Sequence, residues 1–260
     1  MNPRRSTRLA HNLCLQYTPP SYAHLLVDVH GLLISSLAAD LRGCGFEVTV
    51  HLEPPGLPDR SQSPGAGSRH DPSNQLGRRV TIAKSRNRLL RVALPLTSFL
   101  PAGSLVVWMD SDLLSVPFGT LPALWRAMES AGPRSGDVVV PLCANSDGGG
   151  AYDLNSWRDT EESRLRAERG EVMFEGYGRS TGRVHMDELA KGGGGKGFTV
   201  DLDGVGGTMI VARREVFTVG KVDFPEELFR GSVETEGFGL LAKDRGFRVL
   251  GAPNVVITHA

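Results

Sequence analysis

Leu105-Val106-Val107-Trp108-Met109-Asp110-Ser111-Asp112 is the stretch on which the fold turns. Five apolar residues in unbroken succession are what a strand buried on both faces needs, and two carboxylates one residue apart follow without a spacer. In open α/β sheets ligands gather in the crevice at the carboxyl ends of the strands, which is where this pair falls. Hard carboxylate oxygens there suit a divalent cation whose remaining positions take diphosphate oxygens. Such a pair is weak evidence alone. A solvated turn after a strand explains most of them, and Asp201-Leu202-Asp203 is a second copy.

Upstream, Val80, Ala83, Leu90 and Leu94 recur at helical spacing, and that helix is expected to stop near Pro95. Before it, the pattern predicts a helix from Leu32 to Arg42, a strand from Phe46 to Leu52 and a mobile Pro/Gly/Ser-rich loop over 54–71. Downstream, helix and strand alternate: a helix over 121–130, a buried strand over 137–142 and a charged helical stretch over 154–169. A strand over 208–211, a helix over 235–245 stopped by Gly246, and two strands over 247–250 and 255–258 complete the series. That alternation predicts an α/β fold with a mostly parallel sheet and helices on both faces. The expected division is an atypical N-terminal segment, 1–68, and one α/β domain, 69–260.

Composition narrows the chemistry. The chain has 260 residues, 40% of them hydrophobic, enough for a sizeable core. Lys+Arg and Asp+Glu balance at 29 each, so no global field calls for nucleic acid, and phosphate binding must come from a local cluster. Cys14, Cys44 and Cys143 form neither a CxxC pair nor an even set, which argues against a disulfide framework and a zinc site. The apolar stretch 25–37 is broken by Asp28 and His30 and falls short of the roughly 20 residues a membrane helix needs. The basic start is not followed by a signal-peptide core, so the chain as written is expected to stay in the cytosol.

One local cluster is basic. Arg78, Arg79, Lys84, Arg86, Arg88 and Arg91 occur within one helical stretch that contains no acid. A solvated face accounts for Arg78, Arg88 and Arg91. Arg86 is set apart by Asn87, a polar residue inside the apolar stripe whose amide needs partners once buried, from a ligand or a loop. Leu202-Asp203-Gly204-Val205-Gly206-Gly207-Thr208 packs glycines around a carboxylate before a strand, letting backbone or ligand approach closely. It is not a dinucleotide fingerprint, and Gly195-Lys196 fails as a phosphate loop because Gly197 replaces the hydroxyl residue. Glu234 and Glu236 open a helix, where the dipole favours acids on structural grounds alone. His259 ends the last strand, beside the same crevice as Asp110 and Asp112.

Together these pieces resemble the fungal Golgi mannan-polymerase (Anp-type) mannosyltransferases of glycosyltransferase family 62. The resemblance is carried by 82–90 (IAKSRNRLL), 107–112 (VWMDSD), 138–141 (VVVP), 152–157 (YDLNSW), 202–208 (LDGVGGT), 234–238 (ETEGF) and the closing His259. It runs from about residue 69 to the C-terminus, and the order and spacing of the strings make it specific. The resemblance implies a GT-A Rossmann-like fold, GDP-mannose as donor, manganese as cofactor, and transfer with retention onto a mannan or N-glycan acceptor. It places Asp110, Asp112 and His259 at the metal, and Arg86, Asn87 and Ser111 with the acid pair at the donor. Asp203 and Glu236 become the catalytic carboxylates, and Tyr152, Asn155, Trp157, Gly206 and Gly207 the acceptor side. Family members carry one N-terminal membrane helix in the Golgi and a Thr-Pro-Leu element on their first strand. Here no such helix is seen, and Tyr17-Thr18-Pro19-Pro20 is at best a remnant, which implies a shortened or divergent N-terminal part. The other expected roles are a non-catalytic subunit working with related subunits in a complex and, less favoured, a nucleotide-sugar pyrophosphorylase.

Overall fold

A computed structural model describes residues 24–28, 42, 47–51, 72–110, 112–131, 135–175, 181–192 and 198–259. In chain order the elements are β1 (His24–Asp28), β2 (Glu47–His51), α1 (Pro72–Leu96), β3 (Leu105–Met109), β4 (Leu113–Ser115), α2 (Thr120–Glu129), β5 (Val138–Asn145), β6 (Trp157–Arg158) and α3 (Glu161–Glu168). They continue with β7 (Val184–His185), α4 (Met186–Leu189), β8 (Val200–Asp201), β9 (Met209–Arg213), α5 (Arg214–Thr218), α6 (Glu234–Asp244) and β10 (Val249–His259). The Pro/Gly/Ser loop, the Thr-Pro-Pro remnant, and all but Arg42 of the helix expected over 32–42 lie outside the described residues, as does Ser111.

The main sheet runs β3-β9-β5-β10-β4, with β8 on β10. The fold is α/β, but the sheet is mixed rather than mostly parallel. Among the described residues of this sheet only β5 and β10 pair in parallel; β3–β9, β5–β9, β10–β4 and β10–β8 are antiparallel, while β1 and β2 form a separate parallel pair. A strand covered on both faces shows the same apolar run whichever way it points, so direction is not written in the run itself.

Successive residues of each strand face opposite sides. Val139, Val211 and Leu250 join α2 through Leu124, Ala127 and Met128. Val138, Val140, Ile210, Ala212 and Val249 join Ala83 and Leu90 of α1, Phe217 of α5 and Phe238 of α6. Helices therefore cover both faces, as the alternation predicts.

Two expected elements change. The charged helix over 154–169 shrinks to α3, because Trp157 and Arg158 pair with His185 and Val184 and the side chain of Thr160 caps the helix at Ser163. The two strands expected over 247–258 form one, β10, whose pairing with β5 shifts register between Ala252 and Val256. Pro253 sits in that gap, and a proline cannot donate to a ladder, so the shift is where the sequence must put it.

Candidate functional site

The end of β3 and the end of β10 build the site. The ladder between β3 and β9 runs one residue beyond the strand, with the Asp110 amide donating to the Thr208 carbonyl at 3.0 Å. Asp112 lies directly before Leu113 of β4, and Leu113 is the register partner of His259. The pairing delivers the imidazole to the carboxylate: His259 Nε2 is 3.2 Å from Asp112 Oδ1. His259 is 8% exposed and stacks against Tyr152, ring centroids 3.7 Å apart and 7° from parallel. Tyr152 is held there by its amide, which donates to the Cys143 carbonyl of β5 at 2.8 Å, and its side of the stack opens to solvent.

Arg86 reaches the same place from α1. Its Nη2 lies 3.5 Å from Asp110 Oδ1 and 3.4 Å from the Gly207 carbonyl, its Nη1 lies 3.4 Å from Glu234 Oε1, and its guanidinium covers the rings of Phe224 and Trp108. These are long contacts, and buried Nη1 completes no hydrogen bond. Asn87, its neighbour, does a different job. Its amide donates to the Phe224 carbonyl at 2.8 Å and to Glu226 at 2.9 Å and accepts from the Phe224 amide at 2.8 Å, so a loop supplies the partners its burial demands.

Protein packed around the Asp110 carboxyl raises its pKa from 3.8 to about 7; Arg86 opposes the shift, while Asp112, Glu234 and Asp153 reinforce it. Yet 40% of the Asp110 side chain is open to solvent. The two facts fit a carboxyl walled on most sides beneath an open mouth, with burial the main cause of the upward shift and the neighbouring acids adding to it. Asp153 was not singled out from sequence as a site residue. It is held by an Asx turn to Asn155, whose amide donates to Oδ1 at 3.0 Å, while Oδ2 meets the Thr208 hydroxyl at 3.3 Å. A Cβ on Gly206 would fall 2.1 Å from Oδ2, and one on Gly207 2.9 Å from Arg86, so both glycines are needed for these side chains to approach. The signal for Asp153 was present in the Tyr-Asp-Leu-Asn-Ser-Trp string, masked by its aromatic ends.

A second group of charges lies behind the cleft and is sealed. Glu236 is fully buried and takes hydrogen bonds from Arg79, from Arg183 at 3.0 Å and from Trp157 Nε1 at 3.0 Å. Burial pushes its pKa up, against the pull of Arg79 and Arg183. Arg183 also meets Glu175 and Asp159 at 3.3 Å and Ser232 at 2.9 Å, and lies over the Trp157 ring. Asn155 joins this group by accepting from Arg79 at 3.2 Å. Trp157 is fully buried, and a Cβ on Gly204 would fall 2.3 Å from its ring. Asp203 is engaged by Lys243 of α6 and by the Asp159 amide at 2.8 Å. The structure thus gathers Arg86, Asp110, Asp112, His259, Tyr152 and Gly207 at the open cleft and places Glu236 and Trp157 in the sealed group.

Two carboxylates and an imidazole at the cleft, with an excess of acid around Asp110, are a donor set that fits a hard divalent cation. Among the described residues, no three His, Cys, Asp or Glu side chains already converge into a group that could hold a metal ion. Asp112 and His259 meet as a pair while Asp110 turns to Arg86. No helix among the described residues is long and apolar enough to cross a membrane.

A profile of the Anp1 family matches residues 48–227. The chain is 35% identical over 204 residues to the VAN1 subunit of the mannan polymerase I complex of Saccharomyces cerevisiae, covering 75% of this chain and 36% of that protein. It is 35% identical over 203 residues to the anp1 subunit of the mannan polymerase II complex of Schizosaccharomyces pombe, covering 74% and 44%. With the mannan polymerase complex subunit mnn9 of the same yeast it shares 32% identity over 207 residues, covering 77% and 58%. The chain therefore spans less than two thirds of the length of each of these relatives.

Proposed function

Since this chain belongs to the Anp1 family, we propose that it transfers mannose from GDP-mannose to a mannose-containing glycan, with a manganese-type divalent cation and with retention of configuration. The observation that carries the reading is the contact of His259 with Asp112 beside the Arg86–Asp110 pair, at the carboxyl ends of two strands of the sheet. Asp110, Asp112 and His259 would hold the cation. Its chemistry, once bound, is to neutralise the charge that grows on the departing diphosphate. Arg86 contributes a planar fork that matches phosphate oxygens at two points. Tyr152, stacked on His259, fixes the imidazole and offers an apolar face to a sugar ring. Relatives named as subunits of mannan polymerase complexes support work beside related subunits on a mannan acceptor; we extend the acceptor to N-glycans and the place to the Golgi on the family resemblance.

The test is melting temperature against GDP-mannose with and without manganese, since a ligand at a hundred times its Kd stabilises by about 2.7 kcal/mol. A rise only when both are present is expected; no rise under any combination overturns the reading. One observation favours a non-catalytic subunit of the same complex: Asp203 and Glu236, the carboxylates expected to act on the sugars, both have their oxygens engaged by protein. Donor binding without hydrolysis or transfer of mannose would select that alternative.

A further inference from the structure

We propose that Glu234 is the positioning residue for Arg86, setting its guanidinium to receive a diphosphate. Four observations converge on this carboxylate. It is a buried, non-glycine residue at φ 56°, in the left-handed region that side chains rarely occupy, and it stands at the first position of α6. Residues held in that region persist where surrounding structure over-determines them, and they cluster at working sites. Its carboxylate faces Arg86 Nη1 at 3.4 Å, opposite the side on which Nη2 faces Asp110 and the Gly207 carbonyl. Its amide donates to the Pro225 carbonyl at 3.0 Å, and Pro225 belongs to the same loop that Asn87 clamps through Phe224 and Glu226.

The neighbours Arg86 and Asn87 therefore act on one device. Asn87 ties α1 to the loop, the loop carries the backbone of Glu234, and Glu234 reaches back to Arg86. The guanidinium hangs between two acids at distances too long for firm hydrogen bonds, with Nη1 still lacking one. An incoming phosphate oxygen completes the bonding at Nη2, and Glu234, facing the buried Nη1, keeps the fork from collapsing onto Asp110 beforehand. The proposal relies on the donor-site reading only for the identity of the natural ligand.

Inorganic pyrophosphate, titrated calorimetrically in metal-free buffer, is the probe, because it asks for the diphosphate cradle and for neither nucleoside nor sugar. A carboxylate acting through its charge alone repels this anion, so its removal would tighten binding. A positioning carboxylate gives the opposite sign: Glu234→Ala weakens binding about tenfold, Arg86→Lys does the same, and the double variant is no worse than the poorer single one, as for groups acting through one contact. Glu234→Gly, which relieves the positive φ, shows the same loss with an unfolding midpoint at or above that of the Ala variant, separating positioning from folding. Unchanged or tighter binding in Glu234→Ala, losses that multiply in the double variant, or wild-type binding no better than in Arg86→Ala overturns the proposal. Pyrophosphate binding that depends on Arg86 and Glu234, in a protein that ignores GDP-mannose, leaves the proposal standing and removes the donor reading.

Discussion

The open cleft and the sealed network hold the same kinds of side chain and treat them in opposite ways. At the cleft, Arg86 faces Asp110 and Glu234 through long contacts, and Asp110, with Asp112 and Asp153 also near it, is pushed up to about 7. Behind it, Arg79 and Arg183 are matched against Glu236, Glu175 and Asp159 at hydrogen-bond distance, with Trp157, Thr181 and Ser232 completing the shell. Charges whose hydrogen bonds are satisfied make rigid scaffolding; loosely paired ones leave bonding capacity for a ligand. The difference separates two carboxylate groups that sequence spacing alone treats alike.

The largest expected effect tests the scaffold half of that contrast. Arg183→Leu leaves Glu236, Glu175 and Asp159 short of their common cation in the interior, and breaking one side of a buried charge group costs about 3–5 kcal/mol. Urea denaturation is expected to register a loss of that size; a loss below about 1 kcal/mol would mean that the network is not the scaffold described.

The middle effect tests the cleft half. Asp112 is 49% exposed, so Asp112→Ala is expected to change folding stability by no more than about 0.5 kcal/mol. Manganese-dependent GDP binding is expected to fall by at least about tenfold, the scale on which even supporting groups of metal sites act. Binding at the wild-type level in a folded variant would return the acid pair to the status of a solvated turn.

The smallest effect lies at the rim of the network, where His185 Nε2 meets Glu175 Oε2 at 2.7 Å. The bond to Glu175 raises the His185 pKa above its ordinary 6.5 against the effect of burial, with Glu188 and Asp187 also facing it. Burial pushes Glu175 up, but bonds from His185 and Thr181 and the charge of Arg183 outweigh it, and the net shift is down. The imidazole's contribution is therefore complete below about 6.5 and is lost as pH rises through the raised folded value. The carboxylate's contribution is complete above its ordinary 4.5 and is lost as pH falls through the lowered folded value. Wild-type stability is expected to decline above pH 6.5, and His185→Gln to flatten that decline in denaturation midpoints measured across pH 5 to 8. Parallel pH profiles for the two proteins would remove His185 from the linkage.

The chain itself determined β3 and the acid pair, because an uninterrupted apolar run followed by Asp110-Ser111-Asp112 marks where the strand stops, although β3 proves to be a half-buried strand at the end of the sheet rather than one buried on both faces. It determined the helix behind Arg86 and, through Asn87, that a polar residue in an apolar stripe must be answered by other groups. Tertiary structure decided which groups. The Phe224 loop answers Asn87, β9 runs antiparallel between β3 and β5, and Pro253 bends one strand where two were expected. It also sorted the acids. Glu234 and Glu236 are two residues apart on one helix start, yet the first faces Arg86 at the cleft and the second is locked between Arg79 and Arg183. Local spacing gives a residue its place along an element; whether its charge ends up satisfied or in want of a partner depends on side chains far away in sequence, brought beside it only when the sheet and helices pack.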